Sequence, residues 1–323
     1  MKLGIIGLPG SGRSTVFEAL THSSSGGPQK NEGKIGMVKV PDERVDVLSA
    51  MYNPRKTIFA QIEYFLPRSQ VHGQDNKQDQ SFWAKVRESD ALVHVVRNFM
   101  GTRHTEVTPQ ADLTTLNQEL ILADLVITEK RIERLAHDNR RGKKYNPEEF
   151  TLLQKCLENL ENEIPLRELP ELAFAPVLRG YSFLSAKPAL VLFNNEDDDD
   201  EMPGEFTAET EGEYMVIRGK LEQELAQMTD EEAAEFLSEF SITASAKDRV
   251  LKRSYDLLGL ISFFTVGEDE VRAWTIHKDT DAVDAADVIH SDIKKGFIRA
   301  EAVSYTHLTL PTIRRGCGWG GGG

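Results

Sequence analysis

Leu3-Gly4-Ile5-Ile6-Gly7-Leu8-Pro9-Gly10-Ser11-Gly12-Arg13-Ser14-Thr15-Val16-Phe17-Glu18-Ala19-Leu20 is the stretch that decides the fold. Residues 3–6 form an apolar run bounded by a turn, the pattern of a short buried strand. Residues 16–20 read as helix. Between them lies a glycine-rich turn with the spacing GxxxxG[K/R][S/T]. Strand, glycine turn and helix in that order are what a phosphate-binding loop requires. The glycines let backbone N–H groups converge on an anion, and the helix N-terminus adds partial positive charge. Gly7, Pro9, Gly10, Ser11, Gly12, Arg13, Ser14 and Thr15 are therefore the candidate phosphate-binding residues. Ser14 stands where a hydroxyl would meet Mg²⁺. Arg13 stands where the motif usually carries Lys; it keeps the charge but is a planar fork rather than a compact ammonium.

Working outward, Ile35–Val40 alternates toward a strand. Asp42 caps a helix through Val47 and Leu48, and Phe59–Phe65 reads as another strand. Residues 67–80 are polar and read as a loop, and Ala91–Val96 is a buried strand. Strands alternating with helices predict an α/β fold with a mostly parallel sheet covered on both faces. From Asp112 to Leu169 the period changes. Ile121, Leu125, Thr128, Ile132 and Leu135 keep 4-3-4-3 spacing, as do Leu153, Cys156 or Leu157, Leu160 and Ile164. With a turn at 138–147 between them, they predict an antiparallel helical hairpin, a short coiled coil. Its tip holds Arg140, Arg141, Lys143 and Lys144, the densest basic cluster of the chain; a solvated turn and an RNA or ribosome contact both fit. Strand patterns return at 189–193, 214–217 and 271–276. Helices are expected at 222–237, with a break at Met228, and at 250–260 and 282–289.

Composition narrows the function classes. The 323 residues carry a formal net charge of −14, so the average surface repels nucleic acid and any RNA contact needs a local basic patch. No run of ~18 uncharged apolar residues exists, which excludes a helical membrane span, and no signal-peptide pattern opens the chain. Two cysteines, Cys156 and Cys317, lack metal-ligand spacing. A reducing cytoplasm fits that usage.

The phosphate loop, Val40-Pro41-Asp42-x-Arg44 with Leu48, Tyr52 and Pro54, the helical hairpin, Glu270-Val271-Arg272-Ala273-Trp274-Thr275-Ile276 and the run from Ile289 to Glu301 together resemble the YchF/Obg-like ATPase family. The likeness runs from residue 1 to about Tyr305. It implies a P-loop NTPase G domain interrupted by a coiled-coil arm and followed by a small β-grasp-like TGS domain. The boundaries it implies are 1–110 and 187–262 for the G domain, 111–186 for the arm and 263–305 for a partial TGS domain. Residues 306–323 look non-native and are expected to be disordered. The resemblance implies a cytoplasmic protein that binds ATP or GTP, with Mg²⁺ weakly held, hydrolyses it slowly and associates with ribosomes; neither a membrane nor DNA is an expected partner. It also places base contacts at Asn194-Asn195-Glu196-Asp197, chiefly Asn194, Asn195 and Asp197, with Glu196 as the acid instead after a one-residue slip, and at Arg218 and Gly219; an ordinary acidic loop is the other reading of 194–197.

The chain departs from the family where chemistry is done. The loop Lys is Arg13. The stretch Gln29–Lys34 has no switch Thr. The strand-end Asp and Gly that attend Mg²⁺ and the γ-phosphate are replaced by Tyr64-Phe65-Leu66-Pro67-Arg68. Losing such groups typically costs ~10²–10⁵ in rate, whereas backbone amides bind phosphate whatever the side chains. Binding with weak or absent hydrolysis is the reading that follows. A nucleotide-independent RNA or ribosome scaffold is the alternative.

Overall fold

The computed structural model describes residues 1–21, 33–68, 76–101, 106–204, 206, 213–239 and 245–304. The Gln29–Glu32 part of the switch stretch, residues 69–75 of the expected loop and the tail 306–323 lie outside these. The described chain runs β1 (Lys2–Ile6), α1 (Arg13–Thr21), β2 (Lys34–Lys39), α2 (Glu43–Tyr52), β3 (Lys56–Ile58), β4 (Gln61–Leu66), α3 (Asn76–Arg87) and β5 (Ala91–Asn98). It continues with α4 (Pro109–Arg140), α5 (Pro147–Glu161), α6 (Pro170–Ala173), β6 (Ala189–Asn195), β7 (Glu213–Ile217), α7 (Gly219–Leu225), α8 (Asp230–Glu239) and α9 (Ala246–Leu257). β8 (Leu260–Val266), β9 (Glu270–His277), α10 (Ala282–Ile289) and α11 (Ser291–Lys295) complete it.

The chain divides into two compact units. The first, Met1–Val38 with Gln61–Leu258, holds a six-stranded sheet in the order β2-β4-β1-β5-β6-β7. β1 pairs in parallel with β4 and β5, β5 with β6, and β6 with β7, as the alternation of strands and helices predicts. The parallel pairing brings the carboxyl ends of β1, β5 and β6 to one edge, where ligands of such sheets bind. The register sets Ile6 beside His94 and Asn98 beside Asn195. Leu3, Ile5, Leu92, Val93, Leu190 and Leu192 are fully buried, and each such side chain contributes ~1.5–3 kcal/mol.

The arm follows the expected heptad stripes, and Cys156 rather than Leu157 is the buried member. Ile121, Leu135, Leu153, Cys156 and Leu160 share one core with Leu166, Leu172, Leu178 and Phe183 from the returning chain. The hairpin is thus sealed by a third layer, which a two-helix reading does not foresee. Tyr181 stacks on Phe183 at 5.3 Å, and its hydroxyl donates to Glu149, which also pairs with Arg131 at 2.8 Å.

The second unit joins Lys39–Ala60 to the chain from Gly259 onward. Its sheet has the order β3-β9-β8. The sequence boundaries place residues 39–60 with the G domain and begin the last domain at 263; the structure groups 39–60 with β8 and β9 and starts β8 at Leu260. The expected strand over 59–65 is β4, Gln61–Leu66, and just before it lies an unexpected short strand, β3, in the other sheet. The Val40-Pro41-Asp42-x-Arg44 motif is structural here. Asp42 caps α2 by accepting from the Arg44 amide and holds the Arg44 guanidinium at 2.8 and 2.7 Å. That guanidinium lies 4.9 Å from the Phe264 ring centre.

His94 is fully buried in β5, and neither ring nitrogen has a partner. Burial, with the nearby Arg167 cation second, pushes its pKa from 6.5 down to about 3. The imidazole is therefore neutral in the fold, while the unfolded chain takes up a proton below pH 6.5. Its contribution to stability is complete above that value and is lost as pH falls toward the folded pKa, at up to ~1.4 kcal/mol per pH unit. Stability measured by urea unfolding should fall between pH 7 and pH 5 by about 2 kcal/mol more in wild type than in His94→Leu; an equal fall in both proteins would remove His94 as the cause.

Candidate nucleotide site

The phosphate loop leaves β1 at Ile6 and enters α1 at Arg13. Ser11 N–H donates to Leu8 O at 3.1 Å, closing the turn, and the helical ladder opens with Val16 N–H to Gly12 O at 2.9 Å. The amides of Arg13, Ser14 and Thr15 thus have no intrahelical acceptor, the situation of any helix start. They are donors for an anion. Ser11 is buried and its Oγ has no hydrogen-bond partner, a further unsatisfied polar atom in the loop. These features fit a phosphate group. The Ser14 side chain is exposed at the first turn, and Thr15 is half-buried.

Arg13 is half-buried, with its Cγ close to Gly7. Burial lowers its pKa, and the Glu119 carboxylate on α4 opposes that shift. Part of its charge is therefore answered within the protein, unlike that of a lysine directed only at phosphate.

Asn194, at the end of β6, is the residue that holds the site together. Its Nδ2 donates to Ser11 O at 3.1 Å, and its Oδ1 accepts from Gly219 N–H at 2.9 Å. It is 4 % exposed. Asn195 is buried as well; it accepts from Asn98 at 2.9 Å and donates to Glu201 O at 2.8 Å. Both asparagines, expected as base contacts, have their side chains committed inside the protein. Glu196 accepts from the Met100 amide at 2.8 Å. Asp197 accepts from Leu221 N–H at 3.1 Å, and Lys220 lies 3.6 Å from its other oxygen. Its side chain is 42 % exposed, so Asp197 and the exposed Glu196 are both acids held in fixed positions in this segment. The Arg218 guanidinium reaches Asp197 O at 3.5 Å. Residues 7–15, 194–197 and 218–219 thus converge, from three parts of the sequence.

The strand-end segment where the family carries Asp and Gly is closed. Tyr64, Phe65 and Leu66 are buried, and the Tyr64 hydroxyl donates to Ser254 Oγ at 2.9 Å. Burial pushes the Tyr64 pKa well above its ordinary value. Among the described residues no group of three His, Cys, Asp or Glu side chains could hold a metal ion.

At the arm tip, Arg140, Arg141, Lys143 and Lys144 are all exposed. Lys143 pairs with Asp138 at 3.0 Å, and among the described residues no ion pair engages the other three. The sequence reading missed a feature at the arm's root, the Arg87–Asp124 pair, 2.6 Å apart, with Asp124 fully buried. An aspartate on the apolar stripe of α4, four residues before Thr128, is the signal that could have found it.

Comparison with known proteins agrees with this geometry. Residues 260–314 match the family model YchF-GTPase_C, described as a protein of unknown function (DUF933). The ribosome-binding ATPase YchF of Bacillus subtilis (strain 168) is 37 % identical over 331 residues, covering 95 % of this chain and 90 % of that protein. The protein of that name from Escherichia coli O157:H7 is 36 % identical over 323 residues, covering 94 % and 88 %. The solved structure of the Schizosaccharomyces pombe YchF GTPase superimposes with a TM-score of 0.74 at 29 % identity, covering 92 % of this chain and 86 % of that one. With an α/β P-loop fold, a helical arm and relatives of this identity along nearly its whole length, the chain belongs to the YchF family.

Proposed function

We propose that this protein binds a purine nucleoside triphosphate, ATP or GTP, on the loop Gly7–Thr15, works with the ribosome in the cytoplasm, and hydrolyses the nucleotide weakly or not at all. The observation that carries the proposal is the Asn194 tie, which fixes the phosphate loop to the Arg218–Gly219 segment through Ser11 O and Gly219 N–H. Such preorganisation favours binding, because the loop loses little freedom when phosphate arrives. Asp197, with Arg218 and Gly219, would meet the base. Ser14 would offer its hydroxyl to Mg²⁺. No helix among the described residues is long and apolar enough to cross a membrane.

The hydrolysis reading rests on the strand end. Tyr64 and Pro67 stand in the place of the acid and glycine that attend the metal and the γ-phosphate, and both are buried. Native mass spectrometry of the purified full chain should show one nucleotide bound per chain, with turnover at least ~100-fold below that of an intact YchF protein. Turnover equal to an intact relative's would overturn the hydrolysis reading, and failure of both ATP and GTP to bind at millimolar concentration would overturn the nucleotide reading. The exposed cations Arg140, Arg141 and Lys144 favour a second role for the arm as the ribosome-facing contact, independent of nucleotide.

A further inference from the structure

We propose that the groove between α4 and the carboxyl end of α5 docks a basic amphipathic segment of a partner protein, its apolar side chains covering Leu122 and its lysines or arginines meeting Glu161 and Glu163. The groove lies wholly within the unit that carries the six-stranded sheet and the arm. It encloses about 590 Å³, within the ~300–1,000 Å³ of sites that bury most of a ligand. Its floor runs along one face of a helix: Gln118, Leu122 and Leu125 follow one another at spacings of four and three along α4. Leu160 closes the floor from α5. Leu160 is buried in the arm core and Leu125 packs partly against that core, so the floor is held in place. Leu122, next to the buried Ile121, stays outside the core and is 61 % exposed.

The rim is acidic. α5 ends at Glu161, and the carboxyl end of this 15-residue helix adds partial negative charge. The chain then turns through Glu163, at φ +59°, and Ile164 N–H donates to Asn159 O at 3.0 Å. Gln118 Nε2 donates to both Glu163 oxygens, at 3.3 and 3.2 Å, and so fixes the carboxylate beside the groove. Among the described residues no cation pairs with Glu161 or Glu163. Glu119 also lines the groove, but it shares its charge with Arg13 of the phosphate loop. That leaves Glu161 and Glu163 to answer an incoming cation.

An exposed apolar floor with a charged rim is the make-up of a docking surface. A floor spaced along one helix face takes the apolar side of an amphipathic segment, and the charge of the rim decides which segment. Carboxylates around Leu122 repel RNA phosphates and acidic peptides alike. Lysine or arginine beside an apolar side chain complements both parts of the site. The groove is thus opposite in charge to the arm tip, and its argument needs neither the nucleotide nor the ribosome reading above.

The test uses the full chain and a fluorescein-labelled 14-residue amphipathic peptide built only of Leu and Lys, followed by anisotropy at low salt. Leu122→Gln removes apolar contact at a position already open to water and should weaken binding about 5- to 30-fold. Glu161→Gln combined with Glu163→Gln should weaken it about 3- to 30-fold and make the affinity less dependent on salt. Glu231→Gln combined with Glu235→Gln removes the same two charges from α8 and should leave the affinity within about twofold, which separates docking in the groove from attraction to an acidic protein. Far-UV circular dichroism identifies a variant that fails to fold, and the Glu161 and Glu163 pair serves as the reading if Leu122→Gln does. A folded Leu122→Gln that binds as wild type does, an α8 variant that loses as much as the groove variant, or a Leu and Glu peptide of the same length that binds as tightly would overturn the proposal. A wild-type chain that sediments as a dimer and becomes monomeric in Leu122→Gln would assign the groove to a second copy and overturn it equally.

Discussion

Gly12→Val should weaken nucleotide binding by more than ~100-fold, the largest effect expected of a single substitution in the loop. Two independent costs combine at this position. Gly12 has φ +89°, a conformation that a β-branched residue adopts only with strain of ~1–3 kcal/mol. A Cβ there would also stand 2.2 Å from Asn194 Nδ2. Asn194 cannot yield without releasing Ser11 O and Gly219 N–H, and each buried group left without a partner costs ~1–3 kcal/mol. Either route moves the loop amides away from the geometry that receives phosphate. Gly10→Ala is the control. Gly10 has φ +85°, but a Cβ added there would meet no atom within 4 Å, so only the backbone cost of ~1 kcal/mol applies and affinity should fall by less than about tenfold. Titration with fluorescent ATP and GTP analogues reads both variants. Gly12→Val binding within threefold of wild type would mean that the loop does not hold the nucleotide. Ribosome sedimentation of the same variant then shows whether the arm acts without it.

The fold is legible in the sequence wherever a local pattern and its partner agree. β1, the glycine turn and α1 lie within one short stretch, Lys2–Thr21, and β5 and β6 are apolar runs that only a parallel sheet covered on both faces would bury. Residues 67–80 mislead because their polarity resembles that of a loop. α3 begins at Asn76 within that stretch, and the side chains that anchor it, Phe82, Trp83 and Val86, come only afterwards. β3, which precedes β4 and joins the other sheet, is invisible for a different reason. Alternation tells which side of a strand faces a core, but not which sheet the strand joins; that depends on β9, more than 200 residues later. The site shows the same division. Phosphate-loop residues are marked by spacing, but the Asn194 tie is a long-range hydrogen bond, and an asparagine reads the same whether it meets a base or a backbone carbonyl. Arg13 is visible as a substitution; its answering acid Glu119, on another helix, is not.

Asp124→Ala should cost ~3–5 kcal/mol, a large share of the 5–15 kcal/mol that holds a domain folded. The Asp124 carboxylate is fully buried at the root of the arm and accepts four hydrogen bonds: from Arg87 Nη1 at 2.6 Å, Leu184 N–H at 3.0 Å, Ser185 N–H at 2.7 Å and Ser185 Oγ at 2.8 Å. Arg87 also donates to Ser182 O and Ala123 O. One acid thus ties α3, α4 and the chain returning from the arm. Its removal leaves a guanidinium only 12 % exposed without its counter-charge and two amides without acceptors. Most of the expected cost is this orphaning rather than the net worth of the pair, since a buried ion pair repays little more than its own desolvation. The double variant Arg87→Met with Asp124→Leu therefore tests the argument. It removes both charges, and it should be more stable than Asp124→Ala alone although it alters more of the protein. Hydrogen exchange locates the effect: the Leu184 and Ser185 amides should exchange at least ~100-fold faster in Asp124→Ala, while the amides of β1 and β5 change less, because the loss opens the arm's root before the sheet. A double variant no more stable than Asp124→Ala, with Leu184 still protected, would show that the returning chain is held by the Leu/Phe core of the arm and not by this carboxylate.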